Sequence, residues 1–295
     1  MTFAGGADPE TFEPEPMTVR SHDGLALALD AYGAPDAEAV LLLHGGGQTR
    51  HAWGWTAARL AAAGYRALAM DLRGHGESEW SDDGAYELAA FARDIDAVIS
   101  AVGRPVALVG ASLGGLASLI SQGEVSPGSA TAVVLVDVAP RLEPAGVERI
   151  LDFMLGRPHG FATLDEAADA IAEYLPHRRR APSTDGLAKN LRQGDDGRWR
   201  WHWDPRFLEG KPASTQEGFE QRLERCVRLV TQPMLLVRGG MSDVVSEQGA
   251  RELLAMAPDA RYVDVEEASH MVAGDRNDVF AEAVIDFLAS VRPPS

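Results

Sequence analysis

Val106-Ala107-Leu108-Val109-Gly110-Ala111-Ser112-Leu113-Gly114-Gly115 decides how this chain is read. The first four residues are an apolar run suited to a short buried strand. The small and apolar residues from 113 to about 122 suit a helix. Between them lies Gly-x-Ser-x-Gly, centred on Ser112. A chain that turns from strand to helix so sharply brings its two arms together, so positions 110 and 114 have no room for side chains. The bend holds Ser112 in a strained conformation with its hydroxyl exposed. The helix N-terminus behind it favours developing negative charge. In this setting Ser112 reads as a nucleophile rather than as part of a plain glycine-rich turn.

Short apolar runs alternate with helical patterns on both sides of this stretch. Residues 17–20 and 25–32 flank the turn His22-Asp23-Gly24 and read as a hairpin. Strands are expected at 40–43, 66–70, 106–109, 132–138, 234–237 and 262–265, with helices at 52–63, 86–102, 247–256 and 279–291. The alternation predicts an α/β fold with a mostly parallel sheet covered by helices on both faces. It breaks between 141 and 228, where the pattern is helical and irregular, with no clear strand. The expected organisation is a disordered acidic tail at 1–15, a core at 16–140 and 229–295, and a helical cap at 141–228. Ligands of open α/β sheets bind at the carboxyl ends of the strands. Each candidate motif falls at such an end.

A serine hydroxyl needs a base. Of eight histidines, only His270 follows the last strand, where a loop can return over the sheet. It is the expected general base and acid. An acid must align its imidazole. Asp243, after the strand at 234–237 and the turn Gly239-Gly240, is preferred. Asp137, one strand earlier, is the alternative, with local capping or packing as its other role. The N–H groups of Leu113 and Gly46 are the expected oxyanion hole, with Gly47 as a substitute. His44 is expected to hold that loop. Gln48 is either a further donor or a solvated loop residue.

Lys and Arg number 27 against 44 Asp and Glu, a formal charge of −17. That field disfavours nucleic acid and anionic membranes. No apolar run approaches the ~20 residues of a membrane helix, and the first ten residues lack the basic and apolar segments of a secretory signal. The one cysteine, Cys226, sits in an amphipathic helical pattern and reads as a buried structural thiol. A lone cysteine fits a reducing cytoplasm. A monomer or homodimer acting on a small molecule is expected.

The motifs His44-Gly45-Gly46-Gly47, Asp71-Leu72-Arg73-Gly74-His75-Gly76-Glu77-Ser78, Val109-Gly110-Ala111-Ser112-Leu113-Gly114-Gly115, Gly239-Gly240-Met241-Ser242-Asp243 and Ser269-His270-Met271 resemble, in this order, those of the α/β-hydrolase superfamily. The resemblance covers most of the chain outside the tail. It implies an eight-stranded sheet, a helical cap after the sixth strand, and no metal or organic cofactor. Relatives with an aspartate nucleophile, such as epoxide hydrolases and haloalkane dehalogenases, do not fit a serine at 112. Esterases, lactonases, C–C bond hydrolases and cofactor-free perhydrolases do, and fold alone does not choose among them.

Trp199, Trp201 and Trp203 alternate and would share a face if extended. They either wall an apolar substrate pocket or glue the cap to the core, the second being favoured. Trp53 and Trp55 pose the same question, and Gly47 belongs to the same prospective pocket. Arg178-Arg179-Arg180 reads as a solvated run rather than a carboxylate trap. The expected reaction is hydrolysis of an ester, thioester or lactone of a small, largely apolar substrate through an acyl-serine. The alternatives are a C–C hydrolase of a diketone-type ring-cleavage product and a non-catalytic binding protein on the same fold.

Overall fold

The computed structural model describes residues 12–176, 183–209, 216–275 and 277–292. The chain opens with an antiparallel hairpin, β1 (Glu15–Arg20) and β2 (Ala26–Tyr32). There follow β3 (Ala39–Leu43), α1 (Gly54–Ala62), β4 (Arg66–Met70), α2 (Leu88–Val102), β5 (Val106–Ala111), α3 (Leu113–Ile120) and β6 (Ala130–Val136). An insertion then carries α4 (Pro144–Leu155), α5 (Leu164–Tyr174), α6 (Asp185–Ala188), β7 (Leu191–Gln193), β8 (Trp199–Trp201) and α7 (Phe219–Leu229). The core resumes with β9 (Met234–Gly239), α8 (Glu247–Met256), β10 (Arg261–Val265), α9 (Val272–Asp275) and α10 (Asn277–Val291).

Eight strands form one sheet in the order β1-β2-β4-β3-β5-β6-β9-β10. All neighbours from β4 to β10 pair in parallel, and β2 is antiparallel to both its neighbours. The period-two pattern of the strands explains the two-sided burial. In β3, Val40 and Leu42 pack with α1 and α10, while Leu41 and Leu43 face the layer that holds α2. Ala107 and Val109 of β5 divide from Val106 and Leu108 in the same way. Fully burying one such leucine contributes about 1.5–3 kcal/mol before its entropy cost.

Three sequence expectations change here. Of the expected tail, residues 1–11 lie outside the described residues, but Phe12 packs against the core and Glu15 already opens β1. The insertion contains two short strands, β7 and β8, paired antiparallel with Leu191 opposite Trp201. Three-residue strands are too short to show a period. Finally, α7 packs on the sheet layer: Phe219, Leu223, Cys226 and Val227 share a cluster with Leu135, Met234 and Leu236, against which Ile150 of α4 also rests. Cys226 is fully buried there, as expected of a structural thiol, and burial pushes its pKa up to about 12. No helix among the described residues is long and apolar enough to cross a membrane.

Candidate active site

Ser112 stands between β5 and α3 with φ +44° and ψ −111°. A non-glycine residue rarely holds a positive φ, and the surroundings must enforce it. Here the Ser112 N–H donates to the Val136 carbonyl at 3.1 Å, while the Ser112 carbonyl accepts from Leu116 N–H at 2.9 Å. The arms of the bend are in contact as the sequence implied. A Cβ at Gly110 would lie 2.5 Å from the Gly114 backbone, and one at Gly114 would collide with the Leu43 carbonyl.

His270 follows β10, and its Nδ1 lies 2.7 Å from Oδ2 of Asp137. Asp137 comes directly after β6 and also has a positive φ, +47°. Its carboxylate is fully buried and fully used. Oδ1 accepts the Gly239 N–H at 3.0 Å, and Oδ2 also accepts the Ser242 hydroxyl at 2.5 Å. Ser242 in turn accepts the N–H groups of Val244 and Val245, each at 3.1 Å.

The preferred acid is therefore corrected. Asp243 turns away from this centre and forms an ion pair with Arg149 of α4 at 2.8 Å, its side chain 38% exposed. The turn after β9 aims Ser242, not Asp243, inward. Of the two candidates, Asp137, one strand earlier, is the one that reaches the imidazole.

The loop after β3 lies over Ser112: a Cβ at Gly45 would stand 3.5 Å from the Ser112 Cβ. Most of its backbone groups are engaged. Gly45 N–H donates to Gln48 Oε1 at 2.9 Å, and Gly47 N–H donates to His75 Nε2 at 3.2 Å. His44 Nε2 accepts the Leu72 N–H at 3.0 Å, so its Nδ1–H donates to the Gly45 carbonyl at 2.8 Å. His44 thus holds the loop, as expected. Among the described residues no acceptor takes the Gly46 N–H. Leu113, as first residue of α3, has an N–H with no intrahelical acceptor. Gly46 and Leu113 are neighbours, the Leu113 Cδ2 lying 3.9 Å from where a Gly46 Cβ would stand. Gln48 is no solvated loop residue: its amide braces Gly45 and reaches Met271 Sδ at 3.0 Å.

Ser112, Leu113, Gly46 and His270 all line a cavity of about 960 Å³. The insertion supplies much of its wall. Trp201 and Trp203 stack with centroids 5.1 Å apart, Phe153 and Tyr174 stack at 4.2 Å, and all four line the cavity. Trp199 is not part of that wall and packs inside the insertion beside Phe161. Trp203 also lies against Gly47, and Trp53 joins the wall while packing on Phe280. Trp55 is exposed, with Arg59 over its ring. Arg178, Arg179 and Arg180 lie outside the described residues.

One group of possible metal ligands occurs among the described residues, His22, Asp23 and Asp94. Arg73 already occupies it. Its guanidinium donates to both Asp94 oxygens at 2.6 Å and reaches Asp23 at 3.0 Å. The Asp23 carboxyl, despite partial burial, is held down at about 2 by Ser21 and Arg73.

Two features were not legible in advance. Ser242 carried no signal beyond standing beside Asp243. Neither did His202, which is buried beneath the Gly45-Gly46-Gly47 loop.

Known proteins carry the same arrangement of strands. Residues 40–283 match the alpha/beta hydrolase family. The chain is 31% identical over 278 residues to the esterase Rv0045c of Mycobacterium tuberculosis, covering 92% of this chain and 89% of that protein. It is 29% identical over 228 residues to the 3-hydroxybutyrate-oligomer hydrolase of Cupriavidus necator, covering 73% and 76%. An alpha/beta hydrolase from Novosphingobium aromaticivorans superposes with a TM-score of 0.80 at 27% identity, over 95% of this chain and 99% of that one. The strand order read from the sheet and the match across residues 40–283 agree, and the chain belongs to the alpha/beta hydrolase family.

Proposed function

We propose that this hydrolase cleaves an ester-like bond, in an ester, thioester or lactone, of a small and largely apolar substrate through an acyl-serine. The observation that carries this reading is the 2.7 Å contact with Asp137 made by His270, which lines the same cavity as Ser112. With Nδ1 committed to Asp137, His270 Nε2 is the nitrogen available to Ser112. It accepts the hydroxyl proton as Ser112 Oγ attacks the carbonyl carbon. The carbonyl oxygen becomes an oxyanion, stabilised by the Gly46 and Leu113 N–H groups. His270 then returns the proton to the leaving alcohol. It next takes a proton from water, whose oxygen attacks the acyl carbon, and passes that proton to Ser112 Oγ as the acyl–oxygen bond breaks, releasing the acid and free Ser112. Asp137 stays ionised and stabilises the charged imidazole.

The aromatic and aliphatic wall supports an apolar substrate. Residues of α4, α5 and β8 close over the carboxyl ends of the strands, which supports reading them as a cap, with α7 assigned to the core.

A fluorophosphonate probe should label Ser112, and Ser112→Ala should lose several orders of magnitude in esterase rate. Turnover of vinylogous diketones in preference to p-nitrophenyl esters would move the reading to C–C cleavage. Unchanged esterase activity in Ser112→Ala would overturn it.

A further inference from the structure

Three buried histidines stand in a row behind the loop that carries Gly46. His44 and His75 have ring centroids 5.2 Å apart, and His75 and His202 5.9 Å apart. The first two belong to the loops after β3 and β4. His202 comes from the insertion, one residue after β8. Each ring is fixed in one neutral tautomer by the backbone around it. His75 Nε2 accepts the Gly47 N–H, so its Nδ1–H donates to the Arg73 carbonyl at 3.0 Å. His202 Nδ1 accepts the Gly76 N–H at 2.6 Å, so its Nε2–H faces the Gly47 carbonyl at 3.4 Å. Residue 47 is therefore gripped on both sides, its N–H by His75 and its carbonyl by His202.

The grip is firm on the insertion side. Asp204 N–H donates to the Gly74 carbonyl at 2.8 Å, Tyr86 donates to the Asp204 carboxylate at 2.6 Å, and Arg192 donates to the Gly76 carbonyl. Gly47 has φ +78°, and its neighbour Trp203 packs against it. Rotating residue 47 would swing the preceding peptides with it, including the Gly46 N–H.

We propose that His202 is a positioning residue through which the insertion sets the orientation of the Gly46 N–H in the oxyanion hole. This rests on the reading of Gly46 as an oxyanion donor. His202 touches no reacting atom. It acts through Gly47, and so makes the hole complete only when the β8 segment is docked.

The test compares His202→Gln, which retains a donor near Nε2, with His202→Asn, which retains an acceptor near Nδ1, and with His202→Phe. Steady-state kinetics on one apolar ester and inhibition by a trifluoromethyl ketone, whose serine adduct carries an oxyanion, are measured on each. His202→Phe should lower kcat by about tenfold to a hundredfold, since a misplacement of about 1 Å is worth that much, with KM within about threefold. The ketone Ki should rise by the same factor as kcat falls. His202→Gln should recover most of both effects and His202→Asn little. Recovery by Asn equal to that by Gln would mean that Gly76, not Gly47, is what matters, and would overturn the proposal. So would a fall in kcat with an unchanged ketone Ki. If His202→Phe does not fold, the Gln and Asn pair decides alone. Ser112→Ala is assayed in parallel. An active Ser112→Ala defeats the underlying reading, whereas an inactive one beside a fully active His202→Asn defeats only the role of His202.

Discussion

Asp137 and His270 lie 133 positions apart in the chain and 2.7 Å apart in space, Oδ2 to Nδ1. One follows β6 and the other follows β10, and the strand between them, β9, contributes the Gly239 N–H that holds the second carboxylate oxygen. The acid is thus fixed by a neighbouring strand as well as by its own.

Asp137→Asn should lower kcat by about 10⁴, because the amide no longer stabilises the charged imidazole or enforces its tautomer. Asp243→Asn should stay within a few-fold of the parent, since it loses only a half-exposed pair with Arg149. Steady-state kinetics on the same ester decide this. Equal losses in both variants would return Asp243 to the centre.

Ser242→Ala removes one donor from Asp137 and one acceptor from Val244 and Val245. Leaving these partly buried groups without a partner should cost about 1–3 kcal/mol in urea unfolding. A loss of kcat much smaller than that of Asp137→Asn is expected, because the His270 contact remains.

Acid should unfold the protein early. Burial is the first cause that lowers His44 to about 4, His75 to about 3 and His202 to about 2, with neighbouring histidine charge adding to the last two. Unfolded, each would take a proton near 6.5. Below 6.5 the unfolded chain therefore binds up to three protons that the folded chain refuses. Their stabilising contribution is complete above that pH and falls as pH drops, by up to about 4 kcal/mol per unit near pH 5. Urea midpoints at pH 7.5, 6.0 and 5.0 measure it, and a flat profile across that range would refute it. His202→Phe, if folded, should flatten the slope by about a third.

Gly114→Ala should destabilise by about 3 kcal/mol or more, because the new methyl meets the Leu43 carbonyl in the middle of the sheet. Gly186→Ala, whose Cβ would meet nothing within 4 Å, is the matched control and should be near neutral. Thermal midpoints of the two variants give the comparison.

Trp201→Ala should raise KM for an apolar ester by about twofold to tenfold, the worth of one aromatic contact, with a smaller change in kcat. Trp55→Ala, at an exposed ring outside the cavity wall, should leave both constants unchanged.

The local grammar of the chain determined a great deal unaided. The bend at Ser112 was legible because steric crowding admits only glycine at 110 and 114, a constraint written within five residues. The placement of Ser112 and His270 after strands was legible because each motif follows an apolar run. The choice between Asp137 and Asp243 was not. Both follow strands, both sit in turns, and one residue of difference in where the turn after β9 points sends Ser242 inward and Asp243 toward Arg149. Nor could residue types along 141–228 reveal that α7 joins the core or that His202 reaches Gly47, since such contacts depend on how distant segments dock. Steric limits and hydrophobic period act between near neighbours and so can be read from the chain. A side chain's partner across the fold is set by packing, and only the tertiary structure decided that.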